Sequence, residues 1–296
     1  MSAYRFCRTD DIGLLVDALN RCWAPYHPDE PPVTPAAFKR TIRDLQVWCS
    51  SCMVAFSGSD PIGVLIGAKR RSSTLVHKIA VHPDHRRQGH GRHLLASLGS
   101  KLAILGPPRI VAEIPETLAP ACELFSASAY VEEARLTDYV LDREANDLGE
   151  AAGMLVIPVT IDDLAANDLL GEGPPSPSAS AGQGRPQVCW ERSVETLTAR
   201  KGDIAGLAVA SVEQIEAYVL YVARGIEEIE ILSLRSFIED GGARLKQLLS
   251  QLRARGMETF RFAKVHPAEI SKEWLETLGF SPAGRHLLYS ARARSE

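Results

Sequence analysis

The sequence predicts an α/β (α+β) protein made of two tandem lobes, each a mixed, mostly antiparallel sheet flanked by helices. Three observations carry that prediction. Strand-type runs alternate with amphipathic helical stripes along the chain, and the order of elements in the first half recurs in the second. The third is length: 296 residues is long for one compact unit and comfortable for two of about 150. Hydrophobic residues make up 45%, enough apolar material for two cores. The pattern divides the chain into 1–148 and 149–296.

In the first half, Tyr4–Cys7 reads as a strand. Thr9 or Asp10 then offers an N-cap for a helix striped by Ile12, Leu15, Val16 and Leu19. An aromatic, proline-rich loop from Trp23 to Pro35 leads to a helix carrying Phe38, Ile42 and Leu45. Three consecutive strands follow, Cys52–Phe56, Ile62–Ala68 and Leu75–Val81. Beyond a glycine loop, Leu94, Leu95, Leu98 and Leu102 mark a helix, Arg109–Ile114 a strand, Pro120–Ser128 a helix and Arg135–Asp142 a strand.

The second half repeats that order. Leu155–Val159 is a strand, and a capped helix runs from Asp162 to Leu170. Gly171–Pro186 reads as a loop by its Pro, Gly and Ser content. Trp190, Val194 and Leu197 predict a helix, and strands follow at Ile204–Ala210, Ile215–Val222 and Glu228–Leu234. A Leu245, Leu248, Leu249, Leu252 stripe, a strand at Thr259–Ala263 and a helix at Ser271–Thr277 complete the series. Gly91 and Tyr130 are separated by nearly the same stretch as Gly242 and Phe280, so the halves read as a duplication of domain size.

A formal charge of −4 excludes a general nucleic-acid binder, which needs a surplus of Lys and Arg. No run approaches the ~18 apolar residues of a membrane span, and the opening MSAYRFCRTDD carries charges where a secretory signal has an apolar core. Six cysteines are too few for a disulfide scaffold, which points to a cytoplasmic protein. Cys49 and Cys52 have the spacing of a redox pair, but fall where a strand begins and read as buried strand thiols.

The loop Arg86-Arg87-Gln88-Gly89-His90-Gly91 lies between a strand and a helix. Its glycines let the backbone turn sharply and approach a ligand, and the opening amides of the next helix have no partners within it. Those amides, the positive end of the helix dipole and the charges of Arg86, Arg87 and Arg92 suit a diphosphate. The segment Ile79-Ala80-Val81-His82-Pro83 through Gly89-His90-Gly91-Arg92-His93-Leu94-Leu95 resembles the GNAT superfamily of N-acetyltransferases, whose signature is Arg/Gln-x-x-Gly-x-Gly/Ala after a strand ending Val-x-Pro. The resemblance implies two tandem GNAT-like acyl-CoA N-acyltransferase domains with acetyl-CoA as cosubstrate. It implies a sheet splayed at the strand of Ile79, Ala80 and Val81, whose main chain would bond the pantetheine arm. Amides from Arg87 to Arg92, Gln88 and His90 included, would hold the pyrophosphate, and Trp23, Tyr26 and His27 would line the acceptor entrance. Members often carry a Tyr that protonates the departing thiolate. Here Phe125 occupies that cofactor-side position, and Leu118 stands where an Asn is common.

An amine must lose a proton before it attacks a thioester. Simple alternation puts Leu75, His77, Ile79 and Val81 on one face of their strand, which makes His77 a candidate base. Glu113 on the following strand is the other, and solvent remains an alternative. His82, His85, His90 and His93 crowd the same loop without a metal-ligand spacing. In the second half the matching loop, Ser236 to Ala243, carries Glu239 and Asp240 and lacks the leading Arg, so this half reads as a degenerate copy. Two function classes follow. One is an N-acetyltransferase acting on a small-molecule or peptide amine, as a monomer or homodimer; the other is a CoA-binding sensor or scaffold without turnover.

Overall fold

A computed structural model describes residues 2–142, 155–170 and 188–294. The chain forms two compact units, Met1–Ala134 with Leu287–Glu296, and Arg135–His286. Both are mixed α/β layers in which a mostly antiparallel sheet packs against helices, the tandem arrangement that the repeated pattern predicts.

Unit 1 opens with β1 (Ser2–Phe6), α1 (Ile12–Cys22) and α2 (Pro35–Leu45). The cap of α1 is Asp11 rather than Thr9 or Asp10; its carboxylate turns away to accept from the Arg8 amide and the Arg5 guanidinium. Thr34 caps α2 through Ala37 N at 3.1 Å, with Pro35 pre-set at the first helical position. The meander β2 (Met53–Ser57), β3 (Asp60–Lys69) and β4 (Ser73–Val81) precedes α3 (His90–Leu105), β5 (Arg109–Pro115) and α4 (Ala119–Ala127). The sheet runs β1-β2-β3-β4-β5 and is completed beside β5 by β12 (Ser281–Arg292), whose residues from Leu287 onward belong to this unit. Leu94, Leu95, Leu98 and Leu102 of α3 bury the predicted stripe against Val76, Ile110, Phe125, Leu287 and Tyr289. A strand after Thr277 does not figure in the periodicity reading. Most of β12 is exposed or half-buried, and only Leu287 and Tyr289 are buried, so its apolar alternation is short.

Unit 2 contains β7 (Val156–Pro158), α5 (Ile161–Ala166), α6 (Val194–Ala199), β8 (Ala205–Ala210), β9 (Ile215–Ala223), β10 (Glu228–Ser236), α7 (Ala243–Ala254), β11 (Thr259–Val265) and α8 (Lys272–Thr277). Its sheet order is β6-β11-β10-β9-β8-β7, where β6 (Val131–Leu141) is the last strand of the first half. The helix expected across Trp190 to Leu197 is broken at Ser193, whose hydroxyl caps α6 through Thr196 N, leaving a separate 3-10 turn at Trp190–Arg192. Leu245, Leu248, Leu249 and Leu252 pack onto Phe260, Phe262 and Phe280, repeating the α3 arrangement. The expected loop at Gly171–Pro186 lies outside the described residues.

Cys49 sits in a 3-10 turn and Cys52 just before β2; both are free thiols. Burial raises both pKa values, the reverse of a reactive pair. Among the described residues no helix is long and apolar enough to cross a membrane.

Candidate active site

The site is built where β4 parts from β5. The two strands pair in parallel only from Ser73 with Arg109 to Leu75 with Val111. The ladder from β3 to β4 matches Gly67 with Val76 and Ile66 with Lys78, so His77 is an extra residue, a β-bulge. This corrects the simple alternation. Leu65 and Gly67 share a face, so Ile79 and Val76 do as well, whereas Leu75 lies on the opposite face with Lys78. A bulge also steepens local twist, and here it coincides with the end of β4–β5 pairing.

The opening leads into a cavity of about 900 Å³ lined by β4 from Val76 to Val81, by Glu113 to Pro115, and by the loop before α3. In that loop Arg87 and Gly89 both have left-handed backbone, φ 60° and 86°. Helix α3 begins at His90, and its first internal bond runs from His93 N to Gly89 O at 3.0 Å; the amides of Gly91 and Arg92 precede it. A Cβ at Gly89 would meet nothing within 4 Å, so the cradle is open on that side. At Gly91 a Cβ would lie 3.0 Å from Leu124, so this glycine serves the close approach of α4 to α3.

His90 is buried, and its Nδ1 lies 2.6 Å from the Tyr4 hydroxyl. Burial, then the nearby His85 and His93, lower its pKa and so favour the neutral ring beside the loop. Arg86 lies over the Tyr26 ring at 5.6 Å, and the Tyr26 hydroxyl donates to Val81 O at 2.6 Å. That bond occupies one of the β4 main-chain acceptors expected to face pantetheine. Asn20 fastens the α1–α2 connection by exchanging hydrogen bonds with Val33 at 2.9 and 2.8 Å.

Of the sequence-predicted residues, His77, Ile79, Ala80, Val81, Arg86, Arg87, Gly89, His90, Gly91, Arg92 and Glu113 all line the cavity. Gln88 does not, and Phe125 is fully buried in the core between Tyr130 and Tyr289. Trp23, Tyr26 and His27 line it as well, together with Glu30 and Lys78, which the sequence reading did not single out. The missed signal at Lys78 is the bulge, which no alternation count reveals.

Unit 2 repeats the frame with a different filling. Strand β10 pairs with β11 only from Glu228 to Glu230 and bulges at Leu232, so a buried leucine stands at the equivalent of His77. Gly242 has φ 87°, like Gly89. Here, however, Asp240 accepts from Gly242 N and Arg244 N, each at 2.9 Å, and from the Arg244 guanidinium at 2.8 Å. The chain's own carboxylate fills the anion position that the unit 1 loop leaves open.

Comparison with known proteins agrees with this fold. Residues 48–127 match the family model for the acetyltransferase (GNAT) domain. Solved structures similar over the whole chain include a tandem GNAT protein from the clavulanic acid biosynthesis pathway, at 18% identity, TM-score 0.63 and full coverage of both chains. A GCN5-related N-acetyltransferase from Sphaerobacter thermophilus matches at 14% identity and TM-score 0.63, covering 99% of this chain and 96% of that one. A search of curated proteins finds no match. Residues 48–127 thus match a GNAT acetyltransferase domain, and the chain takes a tandem GNAT fold. The family transfers an acyl group from acyl-CoA to an amine, and the open cradle beside Gly89 fits the diphosphate of such a donor.

Proposed function

We propose that this protein is an acetyl-CoA-dependent N-acetyltransferase whose chemistry takes place in unit 1. The observation that carries the reading is the contrast between two equivalent loops: the loop around Gly89 lines the cavity and no carboxylate is bonded to its amides among the described residues, whereas Gly242 N and Arg244 N are held by Asp240. In this scheme residues 87–92 hold the diphosphate, and the edge of β4 freed from β5 accompanies the pantetheine arm toward the gap. Bound acetyl-CoA supplies the thioester. His77 or Glu113, both in the cavity wall, takes the proton from the acceptor ammonium. The freed nitrogen attacks the carbonyl carbon, the C–S bond breaks, the nitrogen gives up its second proton to solvent to become a neutral amide, and the thiolate takes one proton from solvent. Six free thiols suit a cytoplasmic setting.

The burial of Phe125 where the family often has a phenol favours a second reading, a CoA-binding protein without turnover. Thioester consumption over a broad panel of amines and peptides separates the two. Release of CoA thiol with at least one amine supports the transferase. Tight CoA binding with no release on any amine supports the sensor.

A further inference from the structure

The α1–α2 connection and β4 build a second polar constellation in the wall of the same cavity. The Trp23 and His27 rings stack with centroids 4.4 Å apart. Trp23 Nε1 donates to Glu30 Oε2 at 3.2 Å, and His27 Nδ1 lies 3.4 Å from Glu30 Oε1. The Lys78 ammonium sits 4.3 Å from the Trp23 ring centre and 4.0 Å from Glu30 Oε2. Lys78 lies on the face opposite Ile79, and the bulge at His77 puts Val76 on the Ile79 side; Lys78 lines the cavity with its side chain only 24% exposed.

An ammonium carries three N–H donors. The Glu30 oxygen is beyond hydrogen-bond distance, and among the described residues Lys78 Nζ has no acceptor within 3.5 Å. The Trp23 ring attracts the charge, but a ring face does not replace an oxygen acceptor. Burial pulls the Lys78 pKa down and Glu30 restores only part of the loss, as expected of a half-desolvated cation short of partners. An anion in the cavity would satisfy those donors. A purely cationic amine would leave them unmet, its own charge facing the carboxylates of Glu30, Glu113 and Glu123 in the same lining.

We propose that Lys78 is the anion-binding residue of the acceptor subsite, so that the amine taken up here carries a carboxylate, with the Trp23–His27 plate covering its apolar part. This rests on the N-acetyltransferase reading for the fate of the bound amine, but the binding can be tested apart from it. The probes are matched pairs, phenylalanine against phenethylamine and leucine against isopentylamine, titrated calorimetrically with and without CoA and followed separately for thioester consumption. Wild type should bind each acid at least about ten-fold tighter than its amine, the scale of a hydrogen bond to a charged group. Lys78→Met should erase that preference while CoA affinity, the control for a folded unit 1, stays the same. Glu30→Gln should keep it. Equal binding of acid and amine, no binding of either acid, or a preference that survives Lys78→Met overturns the proposal. Acids that bind through Lys78 without any thioester consumption leave the subsite standing and count against the transferase.

Discussion

Gly89 and Gly91 are two residues apart and do different work. Gly89 holds a backbone that an L side chain adopts only with strain and leaves space beside it, whereas Gly91 lets α4 pack 3.0 Å from where a Cβ would be. Both glycines are legible in the sequence as a motif, but only the structure separates the one with open space beside it from the packing one. His77 is a similar case. Its candidacy rested on alternation that the bulge breaks, yet the same bulge leaves it in the cavity wall. If its imidazole takes the acceptor's proton, His77→Ala should slow turnover about ten-fold or more at pH 7 and less at pH 9, where more of the amine has shed its own proton. Initial rates at the two pH values check this. Equal slowing at both assigns the proton transfer elsewhere.

At the scale of elements, strands and helices were readable because their apolar periods are regular, and Leu-striped α3 and α7 are the clearest cases. What the period could not show was where pairing stops. The β4–β5 and β10–β11 ladders each end after three paired positions, and that is a property of bulges and register. Nor could composition show which carboxylate closes the second loop; Glu239 and Asp240 are equivalent on paper, and only Asp240 holds the amides. Burial tends to raise the Asp240 pKa, but the hydrogen bonds from Arg244 and Gly242 outweigh it and the pKa is lowered. Its contribution is therefore present above the unfolded-state carboxylate pKa and lost as pH falls through the lower folded value. Asp240→Ala should cost about 1 kcal/mol of stability near neutral pH, as for loss of a helix cap. The difference from wild type should shrink in strongly acidic solution. Denaturant titrations at both pH values measure it; a constant difference would show that the carboxylate's charge plays no part.

At the scale of the molecule, the duplication was visible from spacing alone, whereas the composition of unit 1 was not. Its core includes Leu287 and Tyr289 from the far end of the chain, and Tyr289 stacks on Phe125 with ring centres 5.8 Å apart. Removing residues 281–296 should therefore lower the thermal midpoint and abolish CoA binding, although the glycine loop is untouched; emptying one aromatic position of a core alone costs about 3 kcal/mol. A truncated chain that binds CoA normally would show β12 to be dispensable. The most direct measurement of the central claim is a calorimetric titration of CoA into wild type and Gly89→Glu. Wild type should take up one CoA per chain, because of the two equivalent loops the one in unit 2 is held by Asp240. The added carboxylate should weaken binding by at least about a hundred-fold through like charge at close range. Unchanged affinity in Gly89→Glu, or no CoA bound by wild type, would contradict the account.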